Sequence, residues 1–122
     1  MVWALLPGEV SLAETREKEG VFTQIVSKMK GVVFKHNYFH NASNFHSKGD
    51  TICENCVIAL AGSTGRSTAK HIHLEIYTED CGRAFVKELK ENVKHYYKKD
   101  WGRVYFDPVS FYKYIKEKKY VK

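Results

Sequence analysis

The first three-quarters of the chain alternates between apolar and polar residues with a period of two. "GEVSLAET", "FTQIVSKM", "GVVFKHNYFH", "VIALAG" and "HIHLEIY" are short and rich in β-branched or aromatic residues, and turn-like segments separate them. A spacing of about ten residues between such runs predicts an antiparallel sheet, sandwich or barrel. Between the runs, Lys48-Gly49-Asp50 reads as a turn, and "GSTGRST" as a loop whose two glycines serve a tight backbone path. After Asp80 the period changes. Phe85, Val86, Leu89 and Val93 recur at helical spacing among lysines and glutamates, which predicts an amphipathic helix to about Tyr97. A second helix is predicted from "DPVSFYKYIKEK", with Asp107 as N-cap, Pro108 at the first helical position, and Phe111, Tyr112 and Ile115 facing inward.

Composition narrows the class. At 122 residues the chain is one domain's length, and 43% hydrophobic with 28% charged residues describes a globular protein rather than a disordered one. No apolar run approaches the ~20 residues that span a bilayer. The opening "MVWALLPGEV" has neither a basic start nor a small-residue cleavage site, so it does not read as a secretory signal. The net charge of +6 is concentrated in "VKELKENVKHYYKKDWGR" and "YKYIKEKKYVK". It points to an anionic partner or to a solvated basic surface. Three cysteines give an odd count. "CENC" lacks the second Cys/His pair of a structural zinc site and the βαβ context of a redox motif. Reduced cysteines are therefore expected, with a local disulfide as the alternative.

The chemistry concentrates in "STAKHIHLEIY", residues 67–77. In a strand His71, His73 and Glu75 share one face, successive members being about 6.6 Å apart along the chain. One histidine of such a pair can ligate a metal while the other faces substrate. A carboxylate beside them can orient an imidazole through its second nitrogen. Taken alone, His-x-His on a strand is as compatible with two solvated side chains.

The surrounding residues add to it. "GDTICENCVIALAGSTGRSTAKHIHLEIY" resembles the C-terminal signature of the lysostaphin/LytM-type zinc endopeptidases, which cut the peptide stems or cross-bridges of bacterial peptidoglycan. That signature has a Gly-Asp turn, a strand, a Gly/Ser/Thr loop and a His-x-His-x-Glu strand. "YFHN" is similar to the family's Tyr-x-His element, "VWALLPGEVSLAE" to its first core strands and "FDPVSF" to its closing segment, while residues 82–106 look like an insertion. The resemblance implies a mainly β fold: a folded antiparallel sheet or flattened barrel with a groove, plus C-terminal helices. Residues 1–81 would form the β core, and 82–122 a helical C-terminal part of the same domain. It implies zinc as cofactor, with His73 as a ligand, His71 and His40 flanking the catalytic water, and Glu75 supporting a histidine. Gly62, Ser63, Thr64 and Gly65 would line the substrate peptide. It further implies an extracytoplasmic location and peptidoglycan peptides or a cell-wall protein as partners. A nucleic-acid partner rests only on the basic tail.

The family completes its zinc site with a His-x-x-x-Asp motif ahead of the strand that "VWALLPGEV" resembles, and the chain holds no such motif there. "HSKGD", His46 to Asp50, has the spacing but aligns with the family's Gly-Asp turn, so it is expected to reverse the chain rather than bind zinc. His36 and His95 read as surface histidines. A catalytic zinc takes three protein ligands, so these 122 residues by themselves are expected to be inactive. Two readings follow: a LytM-type endopeptidase whose other ligands lie upstream of Met1, or a degenerate metal-free module that binds wall peptides or regulates a partner.

Overall fold

The computed structural model describes residues 1–62 and 73–121, with only the backbone of His73. The fold is mainly β, its strands antiparallel and not closed into a barrel, with two helices, one of them C-terminal. The chain divides into two compact units: Met1–Ser27 with His36–Leu74, and Lys28–Lys35 with Glu75–Lys122.

The first unit contains β1 (Val2–Trp3), β2 (Gly8–Arg16), most of β3 (Gly20–Met29) and most of β4 (Val32–Asn44). It also holds β5 (Thr51–Ile52), β6 (Val57–Ala61) and the start of β7 (His73–Thr78). Its strands lie in the order β5-β2-β3-β4-β6-β1. The five runs of apolar alternation thus become β2, β3, β4, β6 and β7. Val2, Ala4, Val10, Ile25, Tyr38, Ile52, Ile58 and Ala59 form the core, with Leu74 packed against it. A side chain at Gly8 would put its Cβ 2.3 Å from the Val26 carbonyl oxygen, so β2 approaches β3 at a distance only glycine allows.

The second unit continues β4 and β7 and adds α1 (Ala84–Asn92), β8 (His95–Lys98), a 3-10 turn (Lys99–Trp101), β9 (Arg103–Phe106) and α2 (Pro108–Glu117). Its strand order is β4-β7-β9-β8. Phe34, Phe106 and Phe111 form an aromatic core, with ring centroids 5.4 to 6.3 Å apart, and Phe85 meets Phe34 edge-on. α2 starts as its sequence dictates: the Asp107 carboxylate accepts from the Ser110 N–H at 2.9 Å, Pro108 follows, and Phe111 and Ile115 are buried. α1 is shorter than its periodicity predicts. It stops at Asn92 because Val93 turns extended (φ −124°, ψ 136°), and His95–Lys98 then pair with β9 instead of adding another turn. Gly102, in the left-handed region at φ 62°, closes the 3-10 turn between the two strands. Among the described residues no helix is long and apolar enough to cross a membrane.

Two local expectations are corrected. Cys53 and Cys56 are joined in a disulfide rather than reduced, while Cys81 is free. His36, expected at the surface, is fully buried. His95 is exposed in β8 as expected.

Candidate functional site

His40 is the best-defined of the candidate catalytic groups. It lies near the end of β4, nine-tenths buried, with its backbone in the left-handed region at φ 59°. Histidine adopts that region more readily than most residues, but the conformation still costs on the order of 1 kcal/mol or more. The strand is irregular just beyond it, where the register with β6 shifts between Asn41 and Ser43. A bulge of this kind re-aims a side chain that simple alternation would place elsewhere. Its N–H donates to the Glu19 carbonyl at 2.9 Å.

A polar network holds the irregular stretch in place. The Asn41 amide donates to the Tyr38 carbonyl at 3.0 Å and to the Asn44 side-chain oxygen at 3.1 Å. That oxygen also accepts from the Thr23 hydroxyl at 2.9 Å, and the Asn44 amide donates to the Phe22 carbonyl at 2.9 Å. Sequence reasoning missed Asn41, Asn44 and Thr23. The Asn-x-x-Asn spacing in "HNASN" was the available signal, because asparagine favours local side-chain bonds to irregular backbone.

His73 begins β7, which neighbours β4 in the strand order. His40 and His73 therefore belong to adjacent strands, and both fall within the first unit. His71, Ser63, Thr64 and Gly65 lie outside the described residues. Gly62 is described, and a Cβ there would sit 2.5 Å from the Ala42 backbone nitrogen, so close packing of β6 on β4 alone requires glycine. Glu75 falls in the second unit, half-buried, where its charge helps to raise the pKa values of Tyr77 and Tyr96 behind the larger effect of desolvation.

The His46–Asp50 segment is a turn, as expected. The Asp50 carboxylate accepts from the Ser47 N–H at 2.9 Å and lies 3.5 Å from the His46 ring, while Gly49 takes φ 96°. Among the described residues no group of three or more His, Cys, Asp or Glu side chains could hold a metal ion. The described donors thus do not assemble a zinc site, while His71 and the side chain of His73 lie outside the described residues.

His36 takes part in a second, wholly structural network. Its ring lies 2.8 Å from the Ser27 hydroxyl on one side and 2.6 Å from the Tyr38 hydroxyl on the other. Ser27 donates to the Pro7 carbonyl at 2.5 Å and so must accept from His36 Nε2–H, leaving Nδ1 to accept from Tyr38. Tyr38 in turn accepts the Leu5 N–H at 2.7 Å. Every member has a partner, and burial pushes the His36 pKa down to about 3.

Residues 1–85 match the model of peptidase family M23. Among solved structures, the chain is similar to a zinc-containing peptidase from Vibrio cholerae, at 31% identity and a TM-score of 0.52 over 58% of this chain and 21% of that one. It is also similar in fold to a point mutant of the catalytic domain of the prophage-encoded M23 protein EnpA from Enterococcus faecalis. There the identity is 23% and the TM-score 0.56, over 63% of this chain and 58% of that one. The chain thus spans about a fifth of the first structure's length and under two thirds of the second's. No curated protein sequence matches it.

Proposed function

From the premise that the chain belongs to peptidase family M23, we propose that it acts on the peptides of peptidoglycan, as a LytM-type endopeptidase of the stem or cross-bridge, outside the cytoplasm. The observation that carries this reading is the family match over residues 1–85 together with the placement of His40 and His73 on the adjacent strands β4 and β7. In this reading His73 is a zinc ligand, His71 and His40 handle protons beside it, and Gly62 to Gly65 line the peptide. When bound, zinc would supply Lewis-acid activation of water at neutral pH.

A second reading is favoured by one specific observation. A catalytic zinc takes three protein ligands, and the resemblance assigns only one of them, His73, among these 122 residues. The 122 residues would then bind wall peptides without metal, or regulate a partner protein of the wall.

Zinc content of the purified chain by mass spectrometry, combined with digestion of purified peptidoglycan, tests both readings. One equivalent of zinc and new soluble muropeptides, both lost in His73→Ala, support the peptidase within these residues. Saturable muropeptide binding with neither zinc nor turnover supports the metal-free module. Neither binding nor cleavage overturns both.

A further inference from the structure

The hairpin formed by β8, the 3-10 turn and β9 lies outside the residues that match the family. It nevertheless carries the most unusual surface in the second unit. Tyr96 and Trp101 are 55% and 58% exposed and are bridged by Lys98, whereas Tyr97, the next residue of β8 after Tyr96, alternates to the other face of the strand. Single exposed aromatics are ordinary, whereas a contiguous group marks a contact surface.

These rings are held in place. Register puts Tyr77, Tyr105 and Tyr96 side by side across β7, β9 and β8. Tyr96 stacks on Tyr105 with centroids 5.2 Å apart and planes 5° from parallel. The Arg103 guanidinium lies 4.3 Å from the Tyr77 ring centre and 5.2 Å from that of Trp101. Lys98 lies 6.0 Å from the Tyr96 ring and 5.6 Å from the Trp101 ring. Cations between the rings fix Trp101 without burying it. Binding to such rings loses little conformational freedom, as little remains to lose.

The charges among the rings decide the kind of ligand. Lys98, Lys99 and Arg103 are interspersed with carboxylates. Asp100 lies within the turn, Glu79 is 3.8 Å from Arg103, and the charge of Glu75 is felt at Tyr96. A track for a polyanion gains from each cation and loses from each carboxylate beside it, because the phosphates are themselves negative. Planar carboxylate and guanidinium groups of both signs around an aromatic face suit an uncharged, hydroxyl-rich ring. Its C–H edges carry partial positive charge toward the negative ring face, and its hydroxyls both donate and accept.

We propose that the β8–β9 hairpin is a saccharide-binding surface, with Trp101 and Tyr96 stacking on pyranose faces and Lys98, Arg103 and the nearby carboxylates bonding their hydroxyls. The choice of glycan rests on the wall-peptide reading: the ligand is the amino-sugar strand to which those peptides are attached.

The test titrates the chain with N-acetylglucosamine hexasaccharide, following Trp101 fluorescence in a Trp3→Phe background and amide shifts by NMR. Saturable binding is expected, little changed by added salt and weakened at least about tenfold by Trp101→Ala or Tyr96→Ala. Both side chains are more than half exposed, so losing their ring and cation contacts should lower the Tm by only about a few degrees, and a retained cooperative transition serves as the folding control. Absence of saccharide binding, or equal binding by both variants, overturns the proposal. So does exclusive binding to a single-stranded oligonucleotide with a steep salt dependence. A parallel titration with a soluble stem peptide separates the two readings: its failure counts against wall-peptide recognition, and failure of the sugar titrations counts only against the hairpin.

Discussion

His36 is a titratable group sealed in the core with all its hydrogen-bonding capacity used. Its folded pKa of about 3 lies below the 6.5 of a free histidine, so the folded state binds fewer protons than the unfolded chain in between. The stability contributed by the neutral ring is fully present above pH 6.5 and is lost as pH falls toward 3, at about 1.4 kcal/mol per pH unit. Denaturant unfolding at pH 7, 5 and 4 should show that slope, and His36→Gln should flatten it. Tyr38→Phe leaves the Leu5 N–H without its acceptor and should cost about 1–3 kcal/mol, read from the same unfolding curves. His40 differs in kind. Its left-handed backbone suits asparagine nearly as well. His40→Asn should therefore unfold within about 1 kcal/mol of the parent, while losing whatever peptide binding or hydrolysis the site performs. A variant that lost stability and kept function would contradict the role assigned to His40.

At the scale of elements, the segment between β5 and β6 shows how one short motif fastens another part of the chain. The Cys53–Cys56 bond closes a turn in which Asn55 takes φ 62°, and this turn grips Ala4, the residue after β1. Ala4 N–H donates to the Cys56 carbonyl at 2.9 Å, and Asn55 N–H to the Ala4 carbonyl at 3.0 Å. Chain entropy for so short a loop sets the expected loss on reduction at about 2 kcal/mol. Unfolding with and without a reductant measures it, and protection of the Ala4 amide from hydrogen exchange should fall first. For α2, Asp107→Ala removes the cap and should cost about 1 kcal/mol. The elements also show what the sequence made legible. β2, β3, β4, β6, β7 and α2 follow local patterns, alternation in the strands and Asp-Pro at the helix start, and these survive folding unchanged. The end of α1 was not legible, because Lys94 to Lys98 satisfies a helix locally and becomes a strand only through its pairing with β9. The burial of His36 depends likewise on a distant partner: Ser27, which takes up its ring nitrogen, lies on another strand.

For the molecule as a whole, the family region supplies the His40 and His73 strands, and the residues beyond it add helices and an aromatic hairpin. The His-x-His and Tyr-x-His motifs marked the strands of the candidate site. The network of Asn41, Asn44 and Thr23 behind His40 emerged only once the bulge was visible, since it joins β3 to β4 across 21 residues of sequence. The positive charge of the C-terminal third, which by itself suggested an anionic partner, is interleaved with carboxylates at the hairpin and gives mixed rather than uniform potential there. The central claim is that wall peptides are recognised at the strands carrying His40 and His73. An NMR titration of the isotopically labelled chain with a soluble cross-linked muropeptide tests it most directly. Saturable shifts centred on the amides of His40, Asn41 and His73, absent with an unrelated peptide of the same charge, are the predicted result. Shifts confined to residues remote from β4 and β7, or none at saturating peptide, would contradict it.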